Sequence, residues 1–70
     1  MARIIFTDHA NQRKLERSIS DNEIKEALAY PDYTISSFEE RKISVKKVGS
    51  RTISVVYKSE KDNIIVITVY

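Results

Sequence analysis

The spacing of apolar residues changes at Pro31, and this change is the sequence feature that most constrains the fold. Just before Pro31, Ile24, Ala27 and Leu28 recur at the spacing of one helix face. After Pro31, apolar and polar residues alternate with a period of two, which is typical of strands. The strand-like runs cover residues 33–38, 41–48, 51–58 and 64–70. Helices followed by a block of strands indicate the α+β class.

The N-terminal part predicts one strand and two helices. Residues 3–7 are rich in β-branched and aromatic residues, and Thr7 or Asp8 can cap a first helix over residues 8–17, which contain no Gly or Pro. The second helix begins with a capping box from Ser20 to Glu23 and ends at Tyr30, before the proline. The expected order is therefore β-α-α-β-β-β(-β), with an antiparallel sheet of three to four strands.

Smaller signals predict turns and packing. Ile19 is placed to pack on Ile24 as a hydrophobic staple, and Ile53, Val55 and Tyr57 share one strand face. The turn signals are strong at Gly49-Ser50, good at residues 61–63 and poor at Glu39-Glu40. The run 64–70 is apolar on both faces, so it should lie centrally or be covered by another chain.

Length and composition predict a single domain over residues 1–70. A chain of 70 residues buries only roughly 60% of its unfolded surface, so a partner subunit, such as a second copy in a homodimer, is expected to add stability. There is no cysteine and only one histidine, which predicts no disulfide, metal or cofactor. No apolar run suggests a signal peptide or a membrane span, so we expect a cytoplasmic protein with no membrane contact.

A row of cationic and titratable side chains is the main candidate site. His9, Arg13 and Arg17 are four residues apart, so on a helix they drift by only about 40° per step and line one face. Imidazole can transfer a proton near neutral pH, and guanidinium binds phosphate through a planar fork of donors. The net charge is only +2, so RNA binding would need such local clustering.

The same row also has a structural interpretation. Arg13 and Arg17 have Glu16 close by and can pack their stems on the protein with the charged heads in water. His9, in the first helical turn, can be a neutral residue hydrogen-bonded to the sheet. Both interpretations remain open.

The chain resembles a known family. The residues that carry the resemblance are His9-Ala10, Arg13, Arg17, Ile19, Ser20, Glu23, Pro31 and the closing run 66–70. They resemble a family of small uncharacterised bacterial and archaeal proteins with a His-Ala-x-x-Arg-x-x-x-Arg-x-Ile motif, which is grouped by similarity with the RelE/ParE toxin superfamily. The resemblance implies a RelE-like fold.

The resemblance also implies metal-independent cleavage of messenger RNA, usually on the ribosome, by a toxin-like endoribonuclease, with an antitoxin protein as a possible partner. Arg51, with Arg41 or Lys58, would hold the phosphate, and Tyr70 would stand at the C-terminal acid/base position. His9, Arg13 and Arg17 would form a second phosphate clamp or a structural signature; His9 is the third candidate catalytic residue.

Two other functions are compatible with the sequence. A non-catalytic module could bind a protein partner, such as an antitoxin peptide that adds to the sheet edge. A small nucleic-acid-binding protein could stack bases on sheet aromatics, chosen from Tyr33, Phe38, Tyr57 and Tyr70. Packing in the core is the alternative for Tyr57.

Overall fold

Five strands and two helices follow one another along residues 3–70, the part of the chain that the computed structural model describes. In chain order they are β1 (Arg3–Phe6), α1 (Asp8–Glu16), α2 (Asp21–Ala29), β2 (Tyr33–Ser36), β3 (Arg41–Val48), β4 (Arg51–Glu60) and β5 (Asn63–Val69). The predicted α+β class and the order of the elements are confirmed. Residues 37–38, predicted as strand, lie outside β2, because the chain turns there.

Both helices begin at side-chain caps that the sequence predicted. Thr7, not Asp8, caps α1: its Oγ accepts a hydrogen bond from Ala10 N at 3.1 Å and donates one to Ile67 O at 2.8 Å. In α2 the capping box is complete, with Glu23 N donating to Ser20 Oγ and Ser20 N donating to a Glu23 oxygen. Thr7 thus ties the start of α1 to β5 as well as capping it.

The sheet is mixed, which corrects the antiparallel sheet expected from the sequence. Its strand order is β1-β5-β4-β3-β2. The pairs β2/β3, β3/β4 and β4/β5 are antiparallel. In contrast, β1 runs parallel to β5 from Arg3↔Asn63 to Phe6↔Val66. Parallel neighbours need a long connection, and here the whole intervening chain supplies it. β5 is an interior strand, as its two apolar faces predicted.

The main core lies between the helices and one face of the sheet. Its helix-side members are Ala10, Ile19, Ile24 and Ala27, and its sheet members are Ile53, Val55, Val66 and Val69. Ile19 and Ile24, the predicted staple, both belong to this core. Each isoleucine or valine side chain buried in this way stabilises the fold by roughly 1.5–3 kcal/mol.

We call the sheet face opposite the helices the open face. Side chains alternate across a strand, so Val45 and Val56 lie on the open face while their neighbours Ser44 and Val55 face the helices. Val45 is 5% exposed, yet it is not part of the helix-side core. The sheet therefore buries apolar side chains on a second face that neither helix covers.

Candidate functional site

A hollow of about 330 Å³ lies where the end of α1 meets the start of β4. It is lined by Glu16, Arg17, Ile19, Arg51, Thr52, Ile53 and Tyr70. Beside the hollow, Val69 pairs with Val55, and the backbone of Tyr70 pairs with Ser54. Within residues 3–70 the pairing of β4 with this segment stops there, and Arg51, Thr52 and Ile53 line the hollow.

The fold brings three of the sequence-predicted site residues to this hollow. Arg17 comes from the end of α1, Arg51 from the start of β4, and Tyr70 follows β5. Tyr70 is half-exposed, at 49%. A cation of the helical row and a cation of the sheet thus line the same concave surface.

The other predicted site residues lie elsewhere. His9 and Arg13 occupy earlier turns of α1 and do not line the hollow. Arg41 and Lys58 are register partners at the opposite end of β3 and β4 from Arg51. Arg41 has Glu39 at 3.5 Å, and Lys58 has Glu60 at 3.7 Å.

The guanidinium of Arg51 makes a set of internal bonds. Its Nη1 donates to Arg17 O at 3.0 Å, and its Nη2 donates to Ser18 O at 2.9 Å and to the two Glu23 carboxylate oxygens at 2.9 and 3.0 Å. Arg51 thereby connects β4 to the α1–α2 loop and to the first turn of α2. Its predicted role in holding phosphate stays a prediction, and these bonds give it a structural role.

Glu23 is the carboxylate most affected by this arrangement. The backbone N–H of Ser20 and the guanidinium of Arg51 both hydrogen-bond to its charged form, which holds the pKa of Glu23 below its ordinary value. Glu23 therefore stays ionised when the solution is acidified moderately. The capping box and the Arg51 contacts depend on the same charged side chain.

Arg17 is the available cation of the hollow. It is the C-cap of α1, and its exposed side chain makes no hydrogen bond or ion pair within residues 3–70. A cation at a helix C-terminus is stabilised by the helix dipole. Arg17 can therefore hold an anion in the hollow without breaking an existing contact to the described residues.

Glu16 is a candidate that sequence reasoning missed. Glu16 lines the hollow next to Arg17, and its carboxylate accepts a hydrogen bond from Gln12 Nε2 at 3.3 Å and lies 3.9 Å from Arg13 Nε. In the sequence, Glu16 was only a neighbour of the two arginines. Its adjacency to Arg17 was the available signal, and adjacency does not predict which side chains line a hollow.

The row His9, Arg13 and Arg17 on α1 does not share one set of contacts in the structure. Arg13 has Glu16 nearby, while the exposed His9 ring makes no hydrogen bond within residues 3–70. The structural alternative for His9, a hydrogen bond to the sheet, is thus absent among the described residues. Whether the row binds phosphate stays a prediction.

Comparison with known families matched residues 6–70 to a domain of unknown function, DUF4258. The chain belongs to this family. The match runs from Phe6 to Tyr70, so it includes both helices, β2 to β5 and every residue that lines the hollow. No curated protein and no solved structure matched the chain.

Membrane-spanning helices and metal-ligand clusters are both absent from residues 3–70. Neither helix is long and apolar enough to cross a membrane. No group of three or more His, Asp or Glu side chains in this range is placed to hold a metal ion.

Proposed function

We propose that this protein is a toxin-like, metal-independent endoribonuclease that holds the scissile phosphodiester in the hollow beside Arg17. The observation that carries the proposal is that one hollow is lined by three residues whose side chains end in a carboxylate, an available guanidinium and a phenol: Glu16, Arg17 and Tyr70. The resemblance to the RelE/ParE superfamily supports the same function.

The three groups supply what RNA cleavage requires. Arg17 stabilises the negative charge that develops on the phosphate oxygens. Glu16 accepts the proton of the ribose 2′-hydroxyl as this oxygen forms a bond to phosphorus, and Tyr70 donates a proton to the departing 5′-oxygen as its bond breaks. The products are a 2′,3′-cyclic phosphate and a free 5′-hydroxyl, so no metal or oxidant is consumed.

Arg51 acts in this proposal as a positioning residue. It holds the carbonyl oxygens of Arg17 and Ser18, and so fixes the backbone from which the Arg17 side chain extends. Removing it would change the position of Arg17 as well as the fold. Arg51→Ala is for this reason a poor test of direct phosphate binding.

His9 and Arg13 extend the same helix away from the hollow, and in this proposal they bind phosphates next to the cleaved one. Each such contact would steepen the loss of affinity with rising salt. Arg41 and Lys58 lie too far along the sheet to bind the same phosphate, because the seven residues from Arg51 to Lys58 span roughly 23 Å of extended strand.

The test is cleavage of a labelled RNA by the purified protein, alone in EDTA and, in a second reaction, with ribosomes in the magnesium buffer that keeps them assembled. Arg17→Ala, Glu16→Gln and Tyr70→Phe should each reduce the cleavage rate by about 10²-fold or more. Lys58→Ala, which removes a cation far from the hollow, is the matched control and should cleave like the natural chain. Mass spectrometry should detect the cyclic phosphate.

An intact RNA under both conditions would overturn the proposal. Equal loss of activity in Lys58→Ala and Arg17→Ala would contradict the hollow as its site. RNA that is bound but not cleaved, with affinity falling steeply in salt, would instead favour the nucleic-acid-binding alternative.

A further inference from the structure

The open face of the sheet carries two groups of apolar side chains, with Lys58 and Thr68 between them. Cross-strand register places Ile5 beside Ile65, and it places Ile43 between Ile35 and Val56. We define the apolar strip as these residues together with Tyr33. Ile5, Ile35 and Tyr33 are 39%, 47% and 56% exposed. An apolar strip of this extent on a small protein indicates a contact surface.

Cations surround this strip. Lys58 lies beside Ile65 on one side and Arg41 on the other, so two like charges are direct cross-strand neighbours. Like charges in this position repel each other. Of the described strand residues that alternate onto the open face, the cations are Arg3, Arg41, Lys47 and Lys58, and the carboxylate is Glu60. Glu39, in the adjacent turn, adds a second carboxylate close to Arg41.

The charge distribution discriminates between possible occupants. A second copy of this chain, packed face to face, would bring the two cationic surfaces together without enough carboxylates to neutralise them. A nucleic acid would satisfy the cations, but Tyr33 is the one aromatic ring of the strip, and the aliphatic side chains Ile35, Ile43 and Val56 offer no surface on which bases can stack. An acidic amphipathic polypeptide can cover the apolar strip with one face and pair with the surrounding cations through the other.

We propose that the open face binds an acidic amphipathic polypeptide segment of a partner protein. Apolar side chains of the partner cover the strip, and its carboxylates pair with Arg41, Lys58 and Lys47. Five strands spaced about 4.8 Å apart give a width of roughly 24 Å, which a helix of about 16 residues spans. The surface is on the opposite side of the sheet from the helices, so its role does not depend on RNA cleavage.

The experiment is a titration of the full chain, labelled at its isoleucine methyl groups, followed by NMR. The probe is a synthetic helical peptide of about 16 residues with leucine on one face and glutamate on the other. The methyl groups of Ile5, Ile35, Ile43 and Ile65 should shift and saturate at micromolar peptide. The buried Ile19, Ile24 and Ile53 beneath the helices are internal controls and should not shift.

Two matched changes separate charge from apolar contact. A peptide with lysine in place of every glutamate should bind at least tenfold more weakly, and so should the glutamate peptide with an Arg41→Glu, Lys58→Glu chain. Unchanged methyl signals of Ile19 and Ile24 in that variant verify its fold. Arg17→Ala should bind the peptide like the natural chain, because it lies outside the open face.

Three results would overturn the proposal. One is equal affinity for the acidic and basic peptides. Another is the absence of saturable shifts at the open-face isoleucines. The third is a stable dimer in sedimentation that Ile35→Glu disrupts, since this would assign the face to a second copy of the chain.

Discussion

Arg51 and Glu23 illustrate, at the scale of single residues, what the sequence could and could not predict. The capping role of Glu23 was predicted because its partner Ser20 is three residues away. The bonds from Arg51 to Glu23 and to the carbonyls of Arg17 and Ser18 span 28 to 34 positions. Such pairs depend on how elements pack, and no local pattern encodes them.

Acidification should remove the stabilisation that the charged Glu23 side chain provides. Because folding lowers the pKa of Glu23, its contribution to stability is fully present above the ordinary pKa of a glutamate, roughly 4.3, and is lost as pH falls through the lowered value. We expect Glu23→Gln to reduce the free energy of unfolding at neutral pH, with a smaller difference from the natural chain at low pH. Urea unfolding as a function of pH measures this.

Glu26→Gln is the matched control, since the Glu26 side chain on the same helix has no hydrogen bond or ion pair within residues 3–70. It should change stability little across the range. If Glu23→Gln lowers the free energy of unfolding as much in acid as at neutral pH, the contribution does not come from the charged side chain of Glu23.

Ser44 offers a second test at the residue scale. Its hydroxyl is fully buried on the helix-facing side of β3 and has no hydrogen-bond partner among the described residues. A buried hydroxyl without a partner is unfavourable, so we expect Ser44→Ala to raise the free energy of unfolding by about 1 kcal/mol. Ser54→Ala, one strand away on the open face, should have an effect near zero. A loss of stability in Ser44→Ala, measured by chemical denaturation, would reveal a partner for the hydroxyl.

At the scale of elements, two of the three hairpin turns between β2 and β5 differ in how well their residues suit them. Gly49 has φ = 64°, a conformation that glycine adopts without strain. Glu39 and Glu40 have φ values of 61° and 62°, and Arg41 N closes their turn by donating to Phe38 O at 3.3 Å. The sequence predicted that Glu39-Glu40 is poorly suited to a turn, and the structure holds both glutamates at positive φ.

Replacing this turn should stabilise the protein. We expect Glu39→Asn with Glu40→Gly to raise the free energy of unfolding by about 1 kcal/mol, because both new residues tolerate positive φ. The exposed contact between Glu39 and Arg41 is lost, at a smaller cost. Thermal unfolding measures the change, and an unchanged or lower midpoint would contradict it.

Gly49→Ala is the opposite control. No atom lies within 4 Å of an added Cβ, so the whole effect comes from the positive φ. Stability should fall by about 1 kcal/mol.

At the scale of the whole molecule, the helices, their caps and the strand block followed from local spacing, whereas the arrangement of the sheet did not. The apolar run around Ile65 and Ile67 predicted an interior strand, but nothing in it named β1 as a parallel neighbour. Likewise, the cations Arg17 and Arg51 were identified as candidates, while the hollow that joins them depends on how the end of α1 packs against the start of β4. Pairings across the length of the chain are set by the combined packing of all elements.

The position of β5 between β1 and β4 has a consequence for biosynthesis. On a ribosome, β1, both helices and the earlier hairpin emerge first, yet β1 has no partner strand and the core lacks Val66 and Val69 until β5 has left the exit tunnel. Contacts this distant in sequence slow folding. The nascent chain should therefore stay open to chaperones and proteases until β5 arrives, and its two helices and five strands should fold in one step at that point.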